Sequence, residues 1–250
     1  MLRVLLLVLP ALLLGAVERE PIPVPPRSAS SATAVAAAVA QISARQLQLP
    51  PAPRLGELDA EGWCVAQVLN LADPVHRQGL IISKPHRIEA IDGAMILDIP
   101  GERSAAICLP WRASGDLRLT VDVTMLDHGG PTDFTLGIDA NPELAGWRQF
   151  GWSGIEAKFG GPNLAEQRFK ARGWEDDTLD PRPFRIEGDR RLRLSLERVG
   201  SRLRMLVDGR AIGAAEQGHT PKAQDAHAIQ LWNFRGAIHS VSVSHPADVR

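Results

Sequence analysis

A period of two in the apolar residues constrains this chain more than any other feature. In Leu192-Arg193-Leu194-Ser195-Leu196-Glu197 every second residue is leucine, and Leu117, Leu119, Val121 and Val123 alternate with Arg118, Thr120 and Asp122. Successive side chains of an extended strand point to opposite faces, so such runs bury one face and wet the other. Runs rich in Val, Ile, Leu and Thr, bounded by Gly, Pro, Asp and Asn, predict strands over 94–99, 105–109, 117–125, 134–139, 154–159, 192–198, 203–207, 228–234 and 238–244. With hardly a convincing helix among them, the series argues for a two-sheet antiparallel sandwich or a barrel rather than a parallel α/β sheet. Val199-Gly200-Ser201-Arg202 reads as a hairpin, and Asp208-Gly209 as a second turn. No repeat of fixed period suggests a propeller or solenoid.

The first fifty residues have a different texture. Met1-Leu2-Arg3 gives a positive start, Val4 to Leu14 is apolar except for Pro10, and Leu14-Gly15-Ala16 ends in small residues. That is the layout of a secretory signal peptide over residues 1–17, too short to span a bilayer, which takes about 20 residues. The expected location is therefore periplasmic or extracellular, with membrane contact only through this segment if it stays uncleaved. Pro21-Ile22-Pro23-Val24-Pro25-Pro26 forms neither helix nor ladder. Thr33 to Arg45 is alanine-rich and suits a weak helix without a wide apolar face. Residues 18–54 read as a flexible tether and 55–250 as one domain.

Composition narrows the partners. A net charge of -1 supplies no field for nucleic acid or an anionic membrane. The two cysteines, Cys64 and Cys108, each sit in an apolar stretch. An exported protein can join them in a disulfide, or bury both as free thiols; spacing does not decide between the two.

The last third carries a resemblance. Residues 191–210, ending Met205-Leu206-Val207-Asp208-Gly209-Arg210, look like the hairpin of concanavalin A-like lectin/glucanase domains, and residues 228–243 look like that family's closing pair of strands. Ile91-Asp92-Gly93-Ala94-Met95-Ile96-Leu97 and residues 117–125 are similar to its opening strands. The resemblance covers about residues 88 to 244 and implies a jelly roll, LamG-like in outline, whose concave sheet usually carries the ligand. The fold hosts lectins, hydrolases, lyases and adhesion modules alike. Gly154-Ile155-Glu156-Ala157-Lys158 also resembles the Gly-aromatic-Glu-x-Gln strand of the 3-keto-disaccharide hydrolase branch. It keeps the glutamate and lacks the aromatic and the glutamine.

Candidate site residues follow from the alternation. Ile155, Ala157 and Phe159 alternate with Glu156 and Lys158, so the two charges share one strand face, with Trp147 and Trp152 nearby. Glycan sites combine an aromatic face for sugar C–H groups with charged or amide groups for hydroxyls. Gln230 and Trp232 form a second patch; a tryptophan there is also a common core plug. Asp139, Asn141 and Glu143 place oxygens at alternate positions, as calcium needs, and Glu175, Asp176, Asp177 and Asp180 make another acidic loop. Surface turns look the same. The seven histidines lack zinc spacing. There is no Glu-x-Asp-x-x-Glu run for a retaining glucanase, and a chain without tyrosine has no tyrosine proton donor for lyase chemistry.

These observations rank three functions. The first is an exported sandwich that binds a glycan or a cell-surface protein without catalysis, using Glu156, Lys158, Trp152, Trp147, Trp232 and Gln230. The second is a sugar hydrolase with Glu156 as acid/base and Asp139 or Asp122 as its partner. The third is a structural or adhesion module.

Overall fold

A computed structural model of the chain describes residues 30–45, 53–71, 73–78, 81–83, 88–91, 94–99, 104–111, 115–140, 155–163, 168–171, 186–216 and 226–247. The first elements are helix α1 (Ser30–Arg45), strand β1 (Trp63–Asn70), the single-turn helix α2 (Pro74–Arg77), β2 (Ile81–Ser83), β3 (Ile88–Ile91), β4 (Ala94–Asp98) and β5 (Ser104–Cys108). They are followed by β6 (Leu117–Met125), β7 (Asp133–Ala140), β8 (Ile155–Lys158), β9 (Arg168–Ala171), β10 (Arg190–Val199), β11 (Arg202–Val207), β12 (Arg210–Glu216), β13 (Ala226–Trp232) and β14 (Arg235–Pro246). All the pairings between these strands are antiparallel.

The strands form two sheets. The larger runs β12-β11-β10-β6-β14-β4-β3, with β1 also on β14; the smaller runs β2-β5-β13-β7-β8-β9. β14 is the hub: β6 lies along one edge, while β4 takes its first half and β1 its second half on the other. The core fills the space between the sheets. Leu117, Leu119, Val121, Val123 and Met125 of β6 meet Phe134, Leu136 and Ile138 of β7 and Ile229 and Leu231 of β13 in one buried cluster. The expected sandwich is thus the observed fold, and each of the nine expected runs overlaps a strand.

Both expected turns are present. Gly200 has φ of 56° in the β10–β11 hairpin, and Asp208 and Gly209 have φ of 50° and 78° between β11 and β12. Two successive positive φ values make the twist that a two-residue hairpin needs. Gly236 is required for another reason: a Cβ there would lie 1.9 Å from the Thr124 carbonyl oxygen, where β14 crosses close to β6.

The tether expectation needs correction. The N-terminal helix forms as expected, but it does not hang free. Val35, Val39 and Ile42 are buried against Ala94, Ile96, Leu126 and Ala237 on the outer side of the large sheet. Their spacing is one narrow helical stripe, and the flanking Ala36 and Ala38 are small enough to let the helix lie close. The segment 1–29, with the expected signal peptide, lies outside the described residues. Among the described residues no helix is long and apolar enough to cross a membrane.

The cysteines are both free thiols. Cys64 stands half-buried on β1 of the large sheet and Cys108 buried on β5 of the small one, so the free-thiol reading holds while only Cys108 is buried as expected. Burial alone pushes the Cys108 thiol up from its ordinary range.

Two histidines sit in the interior. His227 is fully buried with neither ring nitrogen hydrogen-bonded, and His239 reaches the Thr124 hydroxyl at 2.9 Å. Burial, then the nearby Arg198 and His245, lowers His227 from 6.5 to about 4. Burial, then Arg191, lowers His239 to about 4 as well, with Asp122 opposing. A folded-state value below the unfolded one means that the unfolded chain binds more protons between the two. The stabilisation from neutral imidazoles is complete above pH 6.5 and is lost as pH falls toward about 4. The urea midpoint should therefore fall steadily from pH 6.5 to 5, and less steeply in His227→Leu; a flat midpoint over that range contradicts the assignment.

Candidate functional site

The outer face of the small sheet collects the sequence candidates that the structure describes. Register sets who stands beside whom. Thr135 of β7 is opposite Lys158 of β8 on one side and Gln230 of β13 on the other. Asp133 is opposite Trp232, and Gly137 is opposite Glu156. Glu156, Lys158, Gln230 and Trp232 therefore share one face across three neighbouring strands, and all four are half-buried. Their inward neighbours Ile155, Ala157, Ile229 and Leu231 are fully buried, which fixes the outward direction of the set.

The alternation missed one member of this face. Asp133 precedes the expected strand start at Phe134, yet its carboxylate takes the Lys158 ammonium at 3.0 Å and the Thr135 hydroxyl at 3.1 Å. The signal was present in sequence, since Asp133, Thr135 and Gly137 alternate with Phe134 and Leu136. The pair is largely shielded, with the Lys158 side chain 17% and the Asp133 side chain 15% exposed, so it fixes the lysine more firmly than a surface pair would. Gly137 brings no side chain, so the row beside Glu156 is open on the β7 side. Together the face offers a carboxylate, a held ammonium, an amide and an indole: donors, acceptors and one aromatic body.

Several candidates are not placed. Trp147, Trp152, Asn141, Glu143 and the 175–180 acidic loop lie outside the described residues, as does the side chain of Asp139. Among the described residues no cluster of three or more His, Cys, Asp or Glu side chains is arranged to hold a metal ion.

Asp122 is a correction. It stands on the outer face of the large sheet, opposite Arg193, while Glu156 stands on the outer face of the small one. The packed core separates them, and sheets stack about 10 Å apart. The two cannot act as a catalytic pair. Asp133 is no substitute, because it lies four residues along β7 from Gly137, the partner of Glu156, or about 13 Å at strand rise. Glycosidase carboxylates stand roughly 5–9.5 Å apart.

The outer face of the large sheet is equally polar. Buried Asp122 accepts from Arg193 Nε at 2.8 Å and Nη2 at 3.0 Å, and from Arg191 at 3.3 Å. Buried Glu197 accepts from Arg118 Nε at 2.9 Å and Arg204 Nε at 2.6 Å. Arg118 continues to Asp59 at 2.7 Å and to Glu61, and its guanidinium lies 4.5 Å over the Trp63 ring. Buried carboxylates are tolerable only when paired in this way.

No protein-family model matches the sequence, and no curated protein matches it. Solved structures match by shape. A galectin-like protein of unknown function from Bacillus subtilis superposes with a TM-score of 0.57 at 11% identity, over 73% of this chain and 96% of that one. The endo-β-1,3-glucanase of Pyrococcus furiosus gives 0.54 at 11%, over 78% and 98%. The carbohydrate-binding module CBM66 from Bacillus subtilis gives 0.51 at 13%, over 66% and 94%. The fold shared with these structures is a two-sheet antiparallel jelly roll, as the C-terminal strands suggested.

Proposed function

We propose that this domain binds carbohydrate without catalysis, through the outer face of the small sheet. The observation that carries the reading is the register that sets Glu156 and Lys158 on one side of β7 and Gln230 and Trp232 on the other, all on one face. A half-buried indole beside fixed polar groups is what a sugar ring uses: C–H groups on the aromatic face, hydroxyls on amide and carboxylate. The similarity to a carbohydrate-binding module and a glucanase supports the same ligand class. Against a pair with Asp122 or Asp133 stands their spacing from Glu156; Asp139, the other expected partner, is two residues along β7 from Gly137, and its side chain lies outside those described.

The site residues make separable contributions. Trp232→Ala should weaken binding to a retained polysaccharide at least tenfold while leaving the fold intact, because the indole is not part of the core cluster. Glu156→Gln keeps the shape and should weaken binding only a few-fold. Affinity electrophoresis against a polysaccharide panel reads both. Sugar release by the wild type that vanishes in Glu156→Gln would instead establish the hydrolase.

We further place the domain outside the cytoplasm, on the signal-like residues 1–17. Intact mass of the exported protein should show cleavage near Ala16; a full-length mass contradicts it.

A further inference from the structure

A cavity of about 410 Å³ lies on the opposite side of the sandwich from the proposed glycan face. Its floor is the outer face of the large sheet: Thr120 of β6, Ser195 of β10, and Ser242 and Ser244 of β14 all line it. One wall is residues 53–62, folded back over β1. Gly56 and Val65 donate their amides to Val65 and Glu57 carbonyls in this fold-back, at 2.8 and 2.9 Å, and Asp59 caps the Trp63 amide at 2.9 Å. The turn at Asp208 and Gly209 makes the other wall.

The lining is suited to a small ring carrying hydroxyls. Val65 and Leu206 give apolar surface for C–H groups beside the row of hydroxyls. Thr120 and Ser195 are hydrogen-bonded to each other at 2.9 Å, so the floor is pre-set before anything enters. Charge selects further. The two arginines in the lining, Arg118 and Arg193, are already held by Glu197 and Asp122, so neither brings an uncompensated positive charge for an anion. Asp59 and Glu61 also pair with Arg118 and Asp208 pairs with Arg190, while Glu57 adds a further carboxylate to the lining, so carboxylates outnumber the arginines in the lining and disfavour an anion. The volume lies within the usual range of about 300–1,000 Å³ for small-molecule pockets, toward its lower end.

We propose that this cavity is a second binding site, specific for one neutral sugar unit, free or at the end of a chain. It is independent of the glycan face on the small sheet, and the two can be told apart in the full chain by their own tryptophans. Trp63 does not line the cavity but stacks at 4.5 Å on Arg118, which does, so its indole reports on the cavity through that contact; Trp232 stands on the other face.

The test is a titration of the full chain with D-glucose, D-galactose, D-mannose, D-fructose and D-glucuronate, following the indole resonances. At least one neutral sugar should shift Trp63 with saturation and leave Trp232 in place, and glucuronate should bind at least tenfold more weakly. Ser242→Phe, which fills the floor, should abolish the Trp63 response. Thr120→Val, nearly identical in shape, leaves the Ser195 hydroxyl without its partner and should weaken it several-fold, with an unmoved Trp232 resonance showing that the fold is kept. The proposal fails if no neutral sugar moves Trp63, if glucuronate binds best, or if Thr120→Val titrates like the wild type. A polysaccharide that still binds at Trp232 in those cases leaves the glycan face standing. Loss of every response at both tryptophans removes both.

Discussion

The two-residue alternation on β6, β10 and β14 is the constraint from which the rest follows. Their inward side chains are aliphatic and almost wholly excluded from water, and they make the floor of a single core. The same backbone must then present every other residue outward, where Arg118, Asp122, Arg193 and Glu197 stand close enough to pair across strands. Slipping one strand by a residue would drive charges into the core and leucines into water. Cross-strand ion pairs and buried aliphatics thus enforce the same register from opposite faces. β14 is held by β6 along one edge and by two separate strands along the other, which leaves it little freedom to slip.

How far the sequence could be read depended on what kind of force builds each element. Strands with a dry inner face were legible, since Leu192 to Glu197 needs no structure to be understood. β12 was not, because Arg210–Glu216 has no buried side chain and is held by its backbone pairing to β11. β1 was hidden by a break in its own pattern, where the register shifts between Val65 and Gln67. Helix α1 was seen but misjudged. Three small apolar residues look too few to dock a helix until the sheet beneath supplies alanines at Ala94 and Ala237.

The site was legible within a strand and illegible between strands. That Glu156 and Lys158 share a face is local arithmetic. That Asp133 holds Lys158, or that Asp122 belongs to the other side of the molecule, depends on which strands become neighbours. Only the assembled sheets decide that. The same limit hid the cavity under residues 53–62, whose parts come from segments far apart in sequence and carry no motif.

Both outer faces of this jelly roll are polar, and among the described side chains neither Asp122 nor Asp133 stands near enough to Glu156 to form a carboxylate pair. The fold by itself assigns no activity; the case for binding rests on what stands beside Trp232. Amide hydrogen exchange of the full chain, with and without a polysaccharide it retains, tests that case most directly. The account predicts added protection over β7, β8 and β13. Protection confined to the large sheet, or none in any strand of the small one, would contradict it.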